Sequence, residues 1–239
     1  MNETFDIIEL RPGTKHYYGD SLEMPDILLQ DGLLVKASTL DIPLGHSRYG
    51  GPIADLPKDF EYPEDLRFAA QLDLKQIAVH DTSGLLPKTG HLFFFADLIE
   101  ERGLVVYKDI DKSELVRIVK DHEDHFFEGV LIKEAFKAKE KLSSRYRIPQ
   151  DDYEEKEANE EGVLWDYFEG GETSKIFGIF THCQAHEEEI LEVVHSNKVV
   201  LLQIGENGFN DEGVFSVLID RDDLKNLNFD NCSFFWGQS

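Results

Sequence analysis

The chain has 239 residues, with 24 basic and 48 acidic side chains and a formal charge of −24. A field of that sign repels nucleic-acid phosphates and anionic membrane surfaces, so neither is expected as a partner; a basic protein, a polyamine or a divalent cation is the favoured class, and solubility alone is the plainer use of the charge. Hydrophobic residues make up 41%, with 17 Phe against 2 Trp, a composition that builds a core from rings with no polar atom to satisfy.

Two cysteines, Cys183 and Cys232, with no CxxC pair, make neither a disulfide framework nor a redox motif. Glu3, Asp6 and Glu9 interrupt the first residues, so no signal peptide is expected. No run approaches the roughly 18 apolar residues of a membrane span. A cytoplasmic protein is the expectation.

In chain order, Ile27–Leu29 and Leu33–Val35 flank Asp31-Gly32, a hairpin signature. Residues 41–65 hold Pro43, Gly45, Gly50, Gly51, Pro52, Pro57 and Pro63 and predict an extended, turn-rich loop. Phe68–Leu74 reads as a strand that carries Gln71. His91–Phe95 is too apolar for a one-sided strand, so burial on both faces is predicted. Leu104–Tyr107, after Glu100–Gly103, completes a second hairpin.

Further on, Ser113 is placed to cap a short helix with Leu115, Val116, Ile118 and Val119. Residues 130–148 put Val130, Ile132, Phe136, Ala138, Leu142, Tyr146 and Ile148 on one parity, which predicts a long strand. Residues 151–161 carry seven acids and one Lys, a solvated boundary between two halves. Val199–Ile204, Val214–Ile219 and Cys232–Trp236 read as strands, and Asp220 caps a helix over 221–227.

Two stretches match. Ala70-Gln71-Leu72-Asp73, then Gly90 and the Phe-bearing strand to Asp97, parallels Leu202-Gln203-Ile204-Gly205, then Gly213 and the strand to Asp220. A Gln inside an apolar strand is costly unless its amide is bonded, and its recurrence suggests two similar units. The expected fold class is α+β, predominantly antiparallel β. Two similar β-rich halves, about 1–150 and 160–239, pack as one compact unit with a few short helices, in a single domain over 1–239.

Ser47-Arg48-Tyr49-Gly50-Gly51, Asp55-Leu56-Pro57, Gln71–Leu74, Leu86–Gly90, Lys175–Gly178 and Leu201–Ile204, in that order and spacing, resemble the YwqG-like family of bacterial proteins of unknown function over roughly residues 40–235. The resemblance implies a compact β-rich fold and no particular reaction. The chain departs from the family pattern at Ile179-Phe180, where relatives carry a Pro, and at Asn210–Glu212, where they carry Trp-Gly-Asp.

Three constellations bear on chemistry. Ser47, Arg48, Tyr49, Gly50 and Gly51, with Gln71 and Gln203, form the first candidate ligand site. Paired glycines allow close backbone approach, and a fixed guanidinium suits a carboxylate or phosphate. An internal ion pair with the chain's own acids is the plainer use of Arg48. His122, His125 and Glu128 would share a helix face and hold a metal, but the spacing is not HExxH, and a solvated acidic loop is the plainer account. His182, Cys183 and His186 offer a metal site or an activated thiolate, yet the neighbouring Glu187–Glu189 would raise a thiol pKa, and a helix start with incidental histidines is the plainer account.

No Walker, GxGxxG or GxSxG sequence occurs, so no cofactor is expected. The sequence points to a binding module rather than an enzyme, of the immunity type, which neutralises a basic toxin by charge complementarity through the acids at 151–161 and 187–192. The alternative is a small-ligand or metal-binding protein or enzyme, with its site at the Gly50-Gly51 loop or a His cluster.

Overall fold

The computed structural model describes residues 3–18, 27–30, 33–36, 43–51, 53–119, 129–142, 171, 173–182, 185, 187–205 and 213–238. Its chain is mostly antiparallel β with a few short helices. In chain order the strands are β1 (Thr4–Tyr18), β2 (Ile27–Gln30), β3 (Leu33–Lys36), β4 (Arg48–Tyr49), β5 (Ile53–Pro57), β6 (Arg67–Asp73), β7 (His91–Asp97), β8 (Arg102–Lys108), β9 (Leu115–Val119), β10 (Gly129–Lys141), β11 (Lys175–Ile176), β12 (Lys198–Ile204), β13 (Gly213–Asp220) and β14 (Ser233–Gln238). The helices are α1 (Leu74–Ile77), α2 (Glu187–Val194) and α3 (Arg221–Lys225), with 3-10 turns at Ala78–His80 and Lys112–Glu114.

Twelve strands form one continuous sheet in the order β14-β13-β12-β11-β1-β10-β4-β6-β7-β8, with the β2–β3 hairpin attached to β1. Its spine is the long antiparallel pair β1–β10, which runs from Thr4↔Lys141 to His16↔Gly129 with irregularities around Pro12. Of the long strand predicted over residues 130–148, β10 forms Gly129–Lys141; residues 143–148, with Tyr146 and Ile148, lie outside the described residues. The sheet curls until its edges approach, giving a barrel that is nearly closed. Trp236 N on β14 donates to Glu101 Oε1 at 3.1 Å beside β8. A Cβ at Gly103 would collide with the Phe234 ring and the Phe95 carbonyl, so only glycine lets those edges come together.

The two arms of the sheet run in matching register. In β6–β7 the pairing steps from Phe68↔Phe95 to Ala70↔Phe94 and skips Ala69. In β12–β13 it steps from Val200↔Leu218 to Leu202↔Val217 and skips Leu201. Arg48 faces Gln71 across β4–β6, as Lys175 faces Gln203 across β11–β12.

The main core lies inside the curled sheet, where Ile8, Leu10, Tyr49, Leu72, Phe94 and Phe215 meet. Outside it lie two smaller cores. The β5–β9 ribbon covers Phe68, Phe93 and Phe95 on one arm. Helix α2 covers the Val200 and Leu218 face on the other through Ile190. The β7 strand therefore buries Leu92 and Phe94 on one face and Phe93 and Phe95 on the other, the two-sided burial its apolar run predicts.

Two local expectations fail. The segment after Ser113 is not a helix: Lys112–Glu114 is a single 3-10 turn, capped by Asp111 in a capping box with Glu114, and Leu115–Val119 then runs as β9. Its β-branched Val116, Ile118 and Val119 suit a pleated strand, and β5 supplies the partner, from Pro57↔Leu115 to Ile53↔Val119. That partner comes from the segment predicted to be all loop, residues 41–65, which holds both β4 and β5.

Candidate functional site

Loop 45–51 and strands β4, β5 and β6 set a polar layer between the large sheet and the ribbon. Ser47, Arg48, Asp55, Gln71, Asp73 and His91 are all buried there. A lone charge in such a place costs several kcal/mol, so its partners decide the outcome.

Arg48 is ion-paired with Asp55. Its Nε donates to His46 O at 3.2 Å, and Nη1 makes a longer contact of 3.5 Å with Ile53 O. Asp55 also accepts from Arg117 Nε at 2.9 Å and Nη2 at 3.3 Å, and from Gly45 N at 2.8 Å. Burial pushes the Asp55 carboxyl up, but the two guanidiniums and the amide outweigh it and hold its pKa below the ordinary value. Burial pulls Arg48 down to about 10, which leaves it cationic at neutral pH.

Gln71 ties the layer together. Its Oε1 accepts from Asp55 N at 2.9 Å and its Nε2 donates to His46 O at 3.1 Å, so the buried amide is satisfied at both ends. Ser47 Oγ accepts from Asp73 N at 2.9 Å. Asp73 caps α1 through Lys75 N at 3.1 Å and meets Lys112 Nζ at 2.6 Å. Tyr49 OH reaches across to Leu10 O at 3.2 Å on β1. Gly50 and Gly51 turn the chain at φ of 48° and 73° and are themselves buried.

The first candidate residues thus come together, but around the chain's own carboxylate. Arg48 has no exposed surface and spends its donors on Asp55 and two backbone carbonyls. Chemically, the layer locks the ribbon onto the sheet.

The second arm carries a parallel arrangement. Ser174 Oγ accepts from Gly205 N at 3.1 Å, as Ser47 does from Asp73. Gln203 Nε2 donates to Thr173 O at 2.9 Å, as Gln71 does to His46 O, so the two glutamines occupy separate, equivalent places. Lys175 stands where Arg48 stands and is ion-paired with Glu140, whose Oε2 also accepts from Ile179 N at 2.7 Å. Burial lowers the Lys175 pKa against the pull of Glu140. Phe177 and Gly178 replace the two glycines and keep their backbone, at φ of 66° and 84°. Glu140 lies on the inward parity of β10, the signal that marks it in the sequence; Asp55 and Lys175 carry no such signal.

His91 belongs to the first layer and went unmarked in the sequence. It is 2% exposed, neither ring nitrogen has a hydrogen-bond partner among the described residues, and it stacks on Phe93 at 6.0 Å. Burial lowers its pKa, opposed by the charge of Asp73. His182 is buried beside the rings of Phe180 at 5.9 Å and Phe235 at 6.3 Å, and burial lowers its pKa too. Its companions Cys183 and His186, and the other trio His122, His125 and Glu128, lie outside the described residues. Among the described residues no group of three His, Cys, Asp or Glu side chains could hold a metal ion. Cys232 is partly buried, and burial pushes its thiol up to about 12, far from a reactive thiolate.

Fold and site together define an acidic, antiparallel β protein with two ion-paired layers set outside a curled sheet. The chain belongs to the family of the domain of unknown function DUF1963, which it matches over residues 47–237. No curated protein matches it.

Proposed function

We propose that this chain is a bacterial, YwqG-like binding module of two related β halves, and that it takes a basic protein as its partner, in the manner of an immunity protein against a basic toxin. One observation carries the reading. Among the described residues only Asp55 and Asp73 are buried carboxylates, and both face basic groups. The other carboxylates whose exposure the structure describes are at least partly exposed, where acidic charge accelerates encounter with a cation and sharpens the choice of partner.

The relation between the halves is supported by the matching bulges at Ala69 and Leu201, by the Gln71 and Gln203 amides, and by the Ser47 and Ser174 hydroxyls. No helix among the described residues is long and apolar enough to cross a membrane. Glu188 and Glu192 on α2 are exposed and offer an edge for the contact; the acids at 151–161 lie outside the described residues.

The test is affinity capture at low and high salt, followed by reconstitution with the purified basic protein that salt releases. Reversing Glu188 and Glu192 to Lys should weaken calorimetric binding by about ten-fold, or about 1.4 kcal/mol. Partners that are acidic, or whose binding ignores salt, would refute the reading.

A further inference from the structure

A groove of about 320 Å³ opens where the second positive-φ turn meets the start of β1, the turn after His80 and the junction of α2 with β12. Its walls include the apolar side chains of Phe5, Leu85, Phe177 and Val194. That volume lies within the range of small-molecule sites.

The groove's cations and carboxylates differ in how they are engaged. His80, Lys198 and Arg221 all line the groove, and none of their side chains has a hydrogen bond or ion pair with another described residue. The groove's two acids are engaged. Asp6 accepts from Thr82 Oγ1 at 2.9 Å and faces Lys137 and Lys139 at 3.3 and 3.8 Å. Asp81 accepts the backbone amides of Ser83, Gly84 and Leu86 at 2.8 to 3.1 Å. Glu140, which lies beside Gly178 of the groove wall, is held by Lys175 and the Ile179 amide. In a chain with twice as many acids as bases, Lys198 and Arg221 balance the groove's two carboxylates, and these two cations, with His80, stand uncommitted beside one apolar hollow.

The backbone is strained at the same place. Phe177 adopts φ of 66°, a left-handed conformation that side-chain-bearing residues avoid and that clusters at functional sites. It is held there by Phe177 N donating to Val200 O at 2.7 Å and by the Ile179 bond to Glu140. At the equivalent turn of the other arm two buried glycines, Gly50 and Gly51, make the same bend without that strain.

We infer that this groove is a binding site for a small organic anion, a carboxylate with an apolar body. The body would lie against Phe5, Phe177 and Val194, and the carboxylate would meet Lys198 and Arg221. The groove borders α2, the helix that carries Glu188 and Glu192, but anion binding needs no protein partner and is read without one.

The probe is 8-anilinonaphthalene-1-sulfonate, an aromatic anion, titrated by fluorescence into the full chain, with decanoate and decylammonium as competitors. We expect one saturable site that decanoate displaces and decylammonium does not. The double variant Lys198→Gln/Arg221→Gln should weaken it by about ten-fold or more. Both side chains are exposed, so circular dichroism should show the parent fold. Val194→Trp, which fills the hollow and keeps the charges, should also abolish binding and covers the case in which the double variant misfolds. Lys58→Gln/Lys108→Gln, at the separate hollow lined by Phe60 and Ile110, should leave binding unchanged. Unsaturable fluorescence, equal displacement by both competitors, indifference to Val194→Trp or to a folded Lys198→Gln/Arg221→Gln, or loss in Lys58→Gln/Lys108→Gln would overturn the assignment.

Discussion

The two arms of the sheet build nearly the same frame and use it differently. Each has a Ser-cation pair, a left-handed turn, a skipped strand residue and a glutamine that caps a carbonyl. In the first arm the cation is Arg48, whose fork reaches Asp55 and two carbonyls while Arg117 closes the far side of the carboxylate. In the second it is Lys175, with Glu140 as its acceptor among the described residues. A planar guanidinium can knit several groups into a dry layer, whereas an ammonium is a point charge with fewer fixed bonds. The first arm is consequently sealed by a β ribbon. The second is covered by a helix and opens beside its turn into a groove. One frame can serve as a lock in one place and as the wall of a site in another.

Breaking the two ion pairs separately should show the difference at its largest. Arg48→Met leaves Asp55 buried with Arg117 alone and should cost about 3–5 kcal/mol in chemical denaturation. Lys175→Met leaves Glu140 at 14% side-chain exposure and within reach of water, so about 1–3 kcal/mol is expected. Equal costs would show the arms to be energetically the same.

The glutamines sharpen the contrast at a smaller scale. Gln71→Leu strips a partner from both Asp55 N and His46 O and should cost about 2–3 kcal/mol. Gln203→Leu removes its bond to Thr173 O and should cost about 1 kcal/mol. A larger loss from Gln203→Leu would reverse the assignment of lock and site.

The smallest effect is a pH dependence. The His91 pKa is lowered from 6.5 by burial, so the unfolded chain takes up the proton more readily than the folded one. Stability from the neutral ring is complete above pH 6.5 and declines as pH falls below it towards the folded pKa. His46 and His182 are lowered in the same way. His91→Leu should flatten the slope of unfolding free energy just below pH 6.5, and an unchanged slope would clear His91 of any part in it.

Many of the strands were legible because period-2 patterning survives in isolation. The inward parity of β10, the Phe run of β7 and the Asp220 cap of α3 each rest on neighbours within a few residues. The segment 41–65 was not legible, because its prolines and glycines mask β4 and β5, whose partners lie far along the chain. The misread helix after Ser113 has the same cause, since β9 is a strand only because β5 lies beside it. At the site, the recurrent glutamines, the Ser47–Gly51 loop and the Arg48 ion pair could be read from residue type. His91, Asp55 and Lys175 could not, because nothing local shows that a polar side chain will be sealed under a ribbon or a helix.

By itself the sequence determined the sign of the molecule, its β character and the echo between Gln71 and Gln203, all of which depend on residue type and short-range spacing. Only the tertiary structure decided that the strands join one curled sheet, that Arg48 turns inward to Asp55, and that Lys198, Arg221 and His80 gather beside a hollow. Those outcomes depend on which distant segments meet, and the burial that sets their energies exists only once they have met.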